Sequence, residues 1–218
     1  FSKSDLMVRM GIGFGIKAAW VILILFLTGC EEDKTNLVYE LEKPDELAEE
    51  VYEVYSRAIN HQFSNQEYVV LQQETDTTVH EDHCEKLYER HTTDLDISTI
   101  GNYIKNNEHS YNLGTGFDSE KTQVKLITHD ELESYELDSY EGWESFHKNY
   151  PETQGVLYLT FPGFNSDSTR ALFESTWHTG KNESECYMMY LKKEEGKWDI
   201  MAYENIEDSI IVSYESLL

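Results

Sequence analysis

The chain has 218 residues, 42 of them acidic against 17 basic, a net charge of −25, and 13% aromatic residues that include fifteen tyrosines. A surface this negative repels nucleic acid and anionic lipid headgroups, whose binding relies on Lys and Arg neutralising phosphates. So aromatic a composition excludes a chain that stays unfolded for want of apolar side chains to bury.

In chain order, the first informative stretch is Ala18–Leu27, an uninterrupted apolar run of ten residues preceded by Arg9 and Lys17. A helix that crosses a bilayer needs about twenty apolar residues, whereas about ten is the length of a signal-peptide core. The run closes on Leu27-Thr28-Gly29-Cys30, which resembles the lipobox of bacterial lipoproteins. That resemblance implies cleavage before Cys30 and attachment of acyl chains to its thiol, with Phe1–Gly29 as the signal peptide. The translation start then falls at Met7 or Met10 rather than Phe1. Removing Lys3, Arg9, Lys17 and Asp5 moves the net charge from −25 to −27. A protein so modified sits on a membrane through its lipid while its body stays in water. Glu31 in place of Asp after the cysteine points to the outer membrane, with the periplasmic and surface faces both open.

The segment 30–43 is acidic, lacks apolar periodicity and reads as a tether; 44–218 reads as one domain. Pro44-Asp45-Glu46 opens a helix to about Asn60, with Leu47, Val51, Val54, Tyr55, Ala58 and Ile59 on one stripe. Tyr68–Gln73 reads as a strand, and His80–His91 as a polar segment helical in its second half. Ser98 is the expected cap of a helix through Lys105 with Ile100, Tyr103 and Ile104 inward. Asn106–Thr115 reads as a loop and Thr122–Thr128 as a half-buried strand. Asp130–Leu137 and Glu141–Tyr150 read as short helices. From Gly155 the period becomes two. Strands are expected at Val156–Phe161, Ala171–Trp177, Cys186–Lys192 and Lys197–Tyr203, with turns at Pro162-Gly163 and Glu195-Gly196, a loop at His178–Glu185 and an edge strand near Ile210–Val212. The predicted architecture is α+β: an antiparallel C-terminal β-meander with N-terminal helices packed on one face.

The segments GWESFHKNYP, GVLYLTFPGFNSD, RALFESTW and YMMYLKKEEGKW between Gly142 and Trp198 resemble a family of uncharacterised secreted bacterial proteins. That family shares a G-W-x-x-F segment ending in Y-P, a G-F-N turn and a closing K-K-x-x-G-K-W hairpin. Its motifs are structural, and the resemblance implies no reaction. Members often carry a loop rich in Cys and Gly where this chain has His178–Cys186. Here that loop keeps one cysteine, which makes a bridge from Cys186 to Cys84 more attractive.

An oxidising compartment independently admits a disulfide between Cys84 and Cys186, with an inert thiol at each as the alternative. The densest group of ligand types is His80, His83 and Cys84, with His91 beyond. On a helix the first three share a face, and imidazole with thiolate suits zinc or copper. The order is not the H-E-x-x-H of metalloproteases. The aromatic stripe Tyr140, Trp143, Phe146, His147 and Tyr150 reads as core, and Trp177-His178 as residues at a strand end. No catalytic residue is assigned, because no G-x-S-x-G, phosphate-binding loop or dinucleotide fingerprint occurs. The expected function is therefore a lipid-anchored cell-envelope module that binds an envelope protein or polymer without catalysis. The alternatives are a periplasmic metal-binding protein and a hydrolase of unrecognised type.

Overall fold

The computed structural model describes residues 38–91, 94–118 and 120–206 together with the backbone of Ile211–Ser213. The apolar leader, the Leu27–Cys30 string and the tether as far as residue 37 lie outside the described residues. Residues Tyr39–Leu218 group into one unit. Among the described residues, no helix is long and apolar enough to cross a membrane.

The elements in order are α1 (Glu49–Gln62), β1 (Tyr68–Gln72), α2 (Glu81–Arg90), α3 (Ile97–Asn106), β2 (Gln123–Ile127), α4 (His129–Ser134), α5 (Tyr140–Asn149), β3 (Val156–Leu159), β4 (Gly163–Phe164), β5 (Arg170–Gly180), β6 (Glu183–Glu194), β7 (Lys197–Asn205) and β8 (Ile211–Ser213). They build one sheet in the order β2-β1-β3-β5-β6-β7-β8, with β4 pairing β5. The chain is thus α+β, and β5-β6-β7-β8 is an antiparallel meander.

The other end of the sheet departs from the expected antiparallel pattern, because β1 runs parallel to both β2 and β3. Parallel neighbours need a crossover, and helices supply it. The path from β1 to β2 carries α2 and α3, and the path from β2 to β3 carries α4 and α5.

Helices cover both faces of the sheet, whereas the sequence reading placed them on one. Strand residues alternate between faces, so Phe173 and Glu174 point in opposite directions. The Tyr55 ring on α1 meets Phe173 edge-on at 5.3 Å, and the Tyr103 hydroxyl on α3 meets Glu174. Among the described residues α1 therefore lies alone on one face, and α2 and α3 lie on the other. On the second face Val70, Val156, Ile127, Leu132, Trp143 and Phe146 form a smaller core under α4 and α5. Each large apolar side chain so buried contributes about 1.5–3 kcal/mol.

Several boundaries shift for local reasons. Backbone from Leu41 to Ala48 has no regular structure, and α1 begins at Glu49 rather than at Pro44. The tether docks before its expected end: the Glu42 amide donates to Gln73 Oε1 at 2.8 Å, and Gln73 Nε2 donates back to the Glu42 carbonyl at 2.7 Å. α2 is helical throughout rather than in its second half. The cap of α3 is Asp96, whose carboxylate accepts from the Ser98 amide; Ser98 is inside the helix. The Pro162-Gly163 turn gives way to β4. The loop expected over His178–Glu185 is instead a tight hairpin: β5 runs to Gly180, β6 starts at Glu183, and Asn182 turns the chain at φ 59°. The second hairpin turns through Glu195 (φ 49°) and Gly196 (φ 80°), the pair of positive angles that suits two right-twisted strands.

Candidate metal centre

Glu174 sits mid-strand in β5 and is 2% exposed. A carboxylate this deep needs partners for both oxygens, and three groups converge on it. The His80 amide donates to Oε1 at 3.0 Å, His80 Nδ1 lies 2.6 Å from Oε2, and the Tyr103 hydroxyl donates to Oε1 at 2.6 Å. His80 is the N-cap of α2, so the partly positive end of that helix also faces the carboxylate. Tyr103 reaches it because α3 rides directly on β4. A Cβ at Gly163 would stand 2.2 Å from the Tyr103 amide nitrogen and 2.4 Å from the Thr99 carbonyl oxygen. Burial, followed by the Glu174 charge, pushes the Tyr103 phenol far above its ordinary value.

Cys186 on β6 is 7% exposed and lies on the same face of the sheet, opposite Thr176. Its sulfur accepts from Thr176 Oγ1 at 3.0 Å and stands 3.9 Å from Glu174 Oε2. One donor atom each from His80, Glu174 and Cys186 lies within 4.8 Å of the others. Nitrogen, oxygen and sulfur donors around one point suit a borderline-soft divalent ion, zinc above all.

The ligands expected from sequence, His80, His83, Cys84 and His91, are brought together by the structure only in part. The helix face is as expected: His83, Cys84 and Leu87 are the buried residues of α2. His80 joins the cluster. His83 turns toward the neighbouring strand, with Nδ1 3.6 Å from Glu204 Oε1. Cys84 is fully buried, and burial with the Glu174 and Glu81 charges pushes its thiol up to about 12. A thiol held neutral in this way is neither nucleophile nor ready ligand. His91 lies at the far end of α2, its ring 6.0 Å from that of Tyr190. Among the described residues no disulfide forms, so the expected bridge between Cys84 and Cys186 is replaced by two buried thiols.

Nothing in the sequence marks Glu174, the nearby Glu204, or Cys186 in the role of ligand. Met188 on β6 faces Glu174 on one side and Glu204 on the other, so the two carboxylates lie in one row across three strands. Glu204 is 0% exposed, and among the described residues neither of its oxygens has a hydrogen-bond partner, nor does His83 Nδ1. Buried polar atoms left in this state call for a water or an ion between them.

The other singled-out groups resolve as structure. Trp143 and Phe146 pack as core while Tyr140 is 74% exposed. Trp177 and His178 point to opposite faces, and the His178 ring stands 5.1 Å from Tyr158. Comparison with models of protein families, with curated proteins and with solved structures gives no match for this chain.

Proposed function

We propose that this chain is a lipid-anchored bacterial cell-envelope protein whose domain binds one transition-metal ion, zinc or copper, through His80, Glu174 and Cys186. The observation that carries the reading is the convergence of three chemically different donors within 4.8 Å, two of them buried. Glu204, two strands away in the same row and facing His83 at 3.6 Å, adds to it, since a cation would offset the negative charge of that row. Three protein ligands leave one coordination position for water or a partner group. The lipobox-like string at Leu27–Cys30 supplies the address, and the absence of a catalytic motif in the sequence favours a binding module.

The test is cobalt substitution. Titrating the metal-free protein with cobalt is expected to give one equivalent bound, with a thiolate-to-metal charge-transfer band. Cys186→Ser removes the band, His80→Ala weakens binding, and Cys84→Ser leaves both unchanged. Absence of any stoichiometric metal, or a band that vanishes with Cys84→Ser alone, overturns the ligand set. The address is tested separately by fatty-acid labelling, which Cys30→Ala is expected to abolish.

A further inference from the structure

The face of the sheet that carries α1 holds a second concavity, a cleft of about 260 Å³ where the C-terminal end of α1 meets β5, β6 and β7. Its walls are Phe63, Trp177, Tyr187 and Tyr203, with Met189 at the base and Glu185 at the rim. The rings are mutually fixed. Phe63 and Trp177 lie 4.8 Å apart, and Tyr187 and Tyr203 meet edge-on at 5.6 Å. Sheet register sets the order, because Trp177 pairs directly with Glu185 and Met189 with Tyr203.

We propose that this cleft is a binding site for a small ligand bearing a quaternary ammonium group. Three independent features favour a cation. Aromatic faces carry negative potential, and cages of Trp and Tyr are the usual receptor for methylated ammonium. The Glu185 carboxylate stands at the entrance. The last turn of α1, which contributes His61 and Gln62 to the wall, presents the negative end of the helix dipole. The histidine does not oppose this, since burial, then Arg57 and Lys121, lower its pKa and keep it neutral. Arg57 itself is paired with Asp199 at 3.1 Å.

The same lining disfavours a primary ammonium. Such a group brings three N–H donors that must be satisfied. Gln62 Oε1 accepts from Ser175 Oγ and Glu185 Oε2 from the Tyr187 hydroxyl at 3.1 Å, so a primary ammonium competes for oxygens that are already engaged. A quaternary ammonium has no donors and asks no acceptor of the lining. The volume is below that of ordinary drug-sized sites, about 300–1,000 Å³, and suits a group of this size.

The experiment is calorimetric titration of the full chain with choline and with its uncharged carbon isostere, in which a quaternary carbon replaces nitrogen. Choline is expected to bind at least about tenfold more tightly than the isostere. Glu185→Gln, on an exposed side chain, is expected to weaken choline severalfold and leave the isostere unchanged. Tyr187→Leu is expected to weaken it further, with Tyr187→Phe retaining most of the affinity. Equal affinity for the two probes, or no heat from either with a protein whose melting temperature is normal, overturns the proposal. Should Tyr187→Leu fail to fold, Glu185→Gln and the isostere ratio still decide it. The metal reading has its own readout, the cobalt band that Cys186→Ser removes, so failure here leaves it standing.

Discussion

Glu174 is the residue on which two helices depend. Its carboxylate holds the start of α2 through His80 and the middle of α3 through Tyr103. Tyr103→Phe deletes one donor and leaves a buried carboxylate oxygen short of a bond, which costs about 1–3 kcal/mol; urea unfolding at neutral pH measures it. Cys84 gives a second prediction at this scale. With its thiol pushed up to about 12 by burial, it is expected to resist iodoacetamide at pH 8 and to react only once urea opens the fold, as peptide mass spectrometry reads directly. The face shared by His80, His83 and Cys84 was legible from spacing alone, because neighbours three and four apart on a helix need no tertiary information. Glu174 was hidden as one of many acids, here within the strand segment RALFESTW, and its partner His80 is 94 residues away in sequence. No local pattern carries a contact of that separation.

At the scale of elements, glycine decides how closely helices approach strands. Gly163→Ala would drive a Cβ against the Tyr103 amide and the Thr99 carbonyl. Neither backbone atom can swing aside, so α3 must lift from β4, and a loss of about 3 kcal/mol is expected in chemical unfolding. The same substitution at Gly101, where a Cβ meets nothing within 4 Å, is expected to stabilise the helix by about 0.5–1 kcal/mol and serves as the control. Strand existence and order in the meander followed from alternation and turn residues. The outer halves of β5 and β6 did not. His178, Ser184 and Glu185 are polar, and their strand conformation comes from cross-hairpin pairing rather than from any apolar face. The parallel pairs were equally hidden, since β1, β2 and β3 are separated in sequence by whole helices and meet only in the folded sheet.

For the whole molecule, titration of the tyrosines sets the alkaline limit. Burial pushes the Tyr158 and Tyr190 phenols up to about 12, against about 10 in the unfolded chain. A folded value above the unfolded one means that their contribution is complete below pH 10 and falls as pH rises from about 10 to 12. Stability measured by urea midpoint is expected to drop across that window, together with a step in phenolate absorbance. With a net charge of −25, self-repulsion also opposes compaction, and added salt is expected to raise the melting temperature.

In β6 the order Glu185, Cys186, Tyr187 alternates across a single peptide layer. The sulfur in the middle belongs to the polar cluster under α2, and its two immediate neighbours belong to the aromatic cleft beside α1. The two proposed sites therefore share a backbone, back to back. A metal bond that tilted the peptides beside that sulfur would reshape the cleft wall, and an occupant of the cleft would act on the sulfur in return. Loading of one surface would then alter the affinity of the other by an equal factor in both directions, as thermodynamic reciprocity demands.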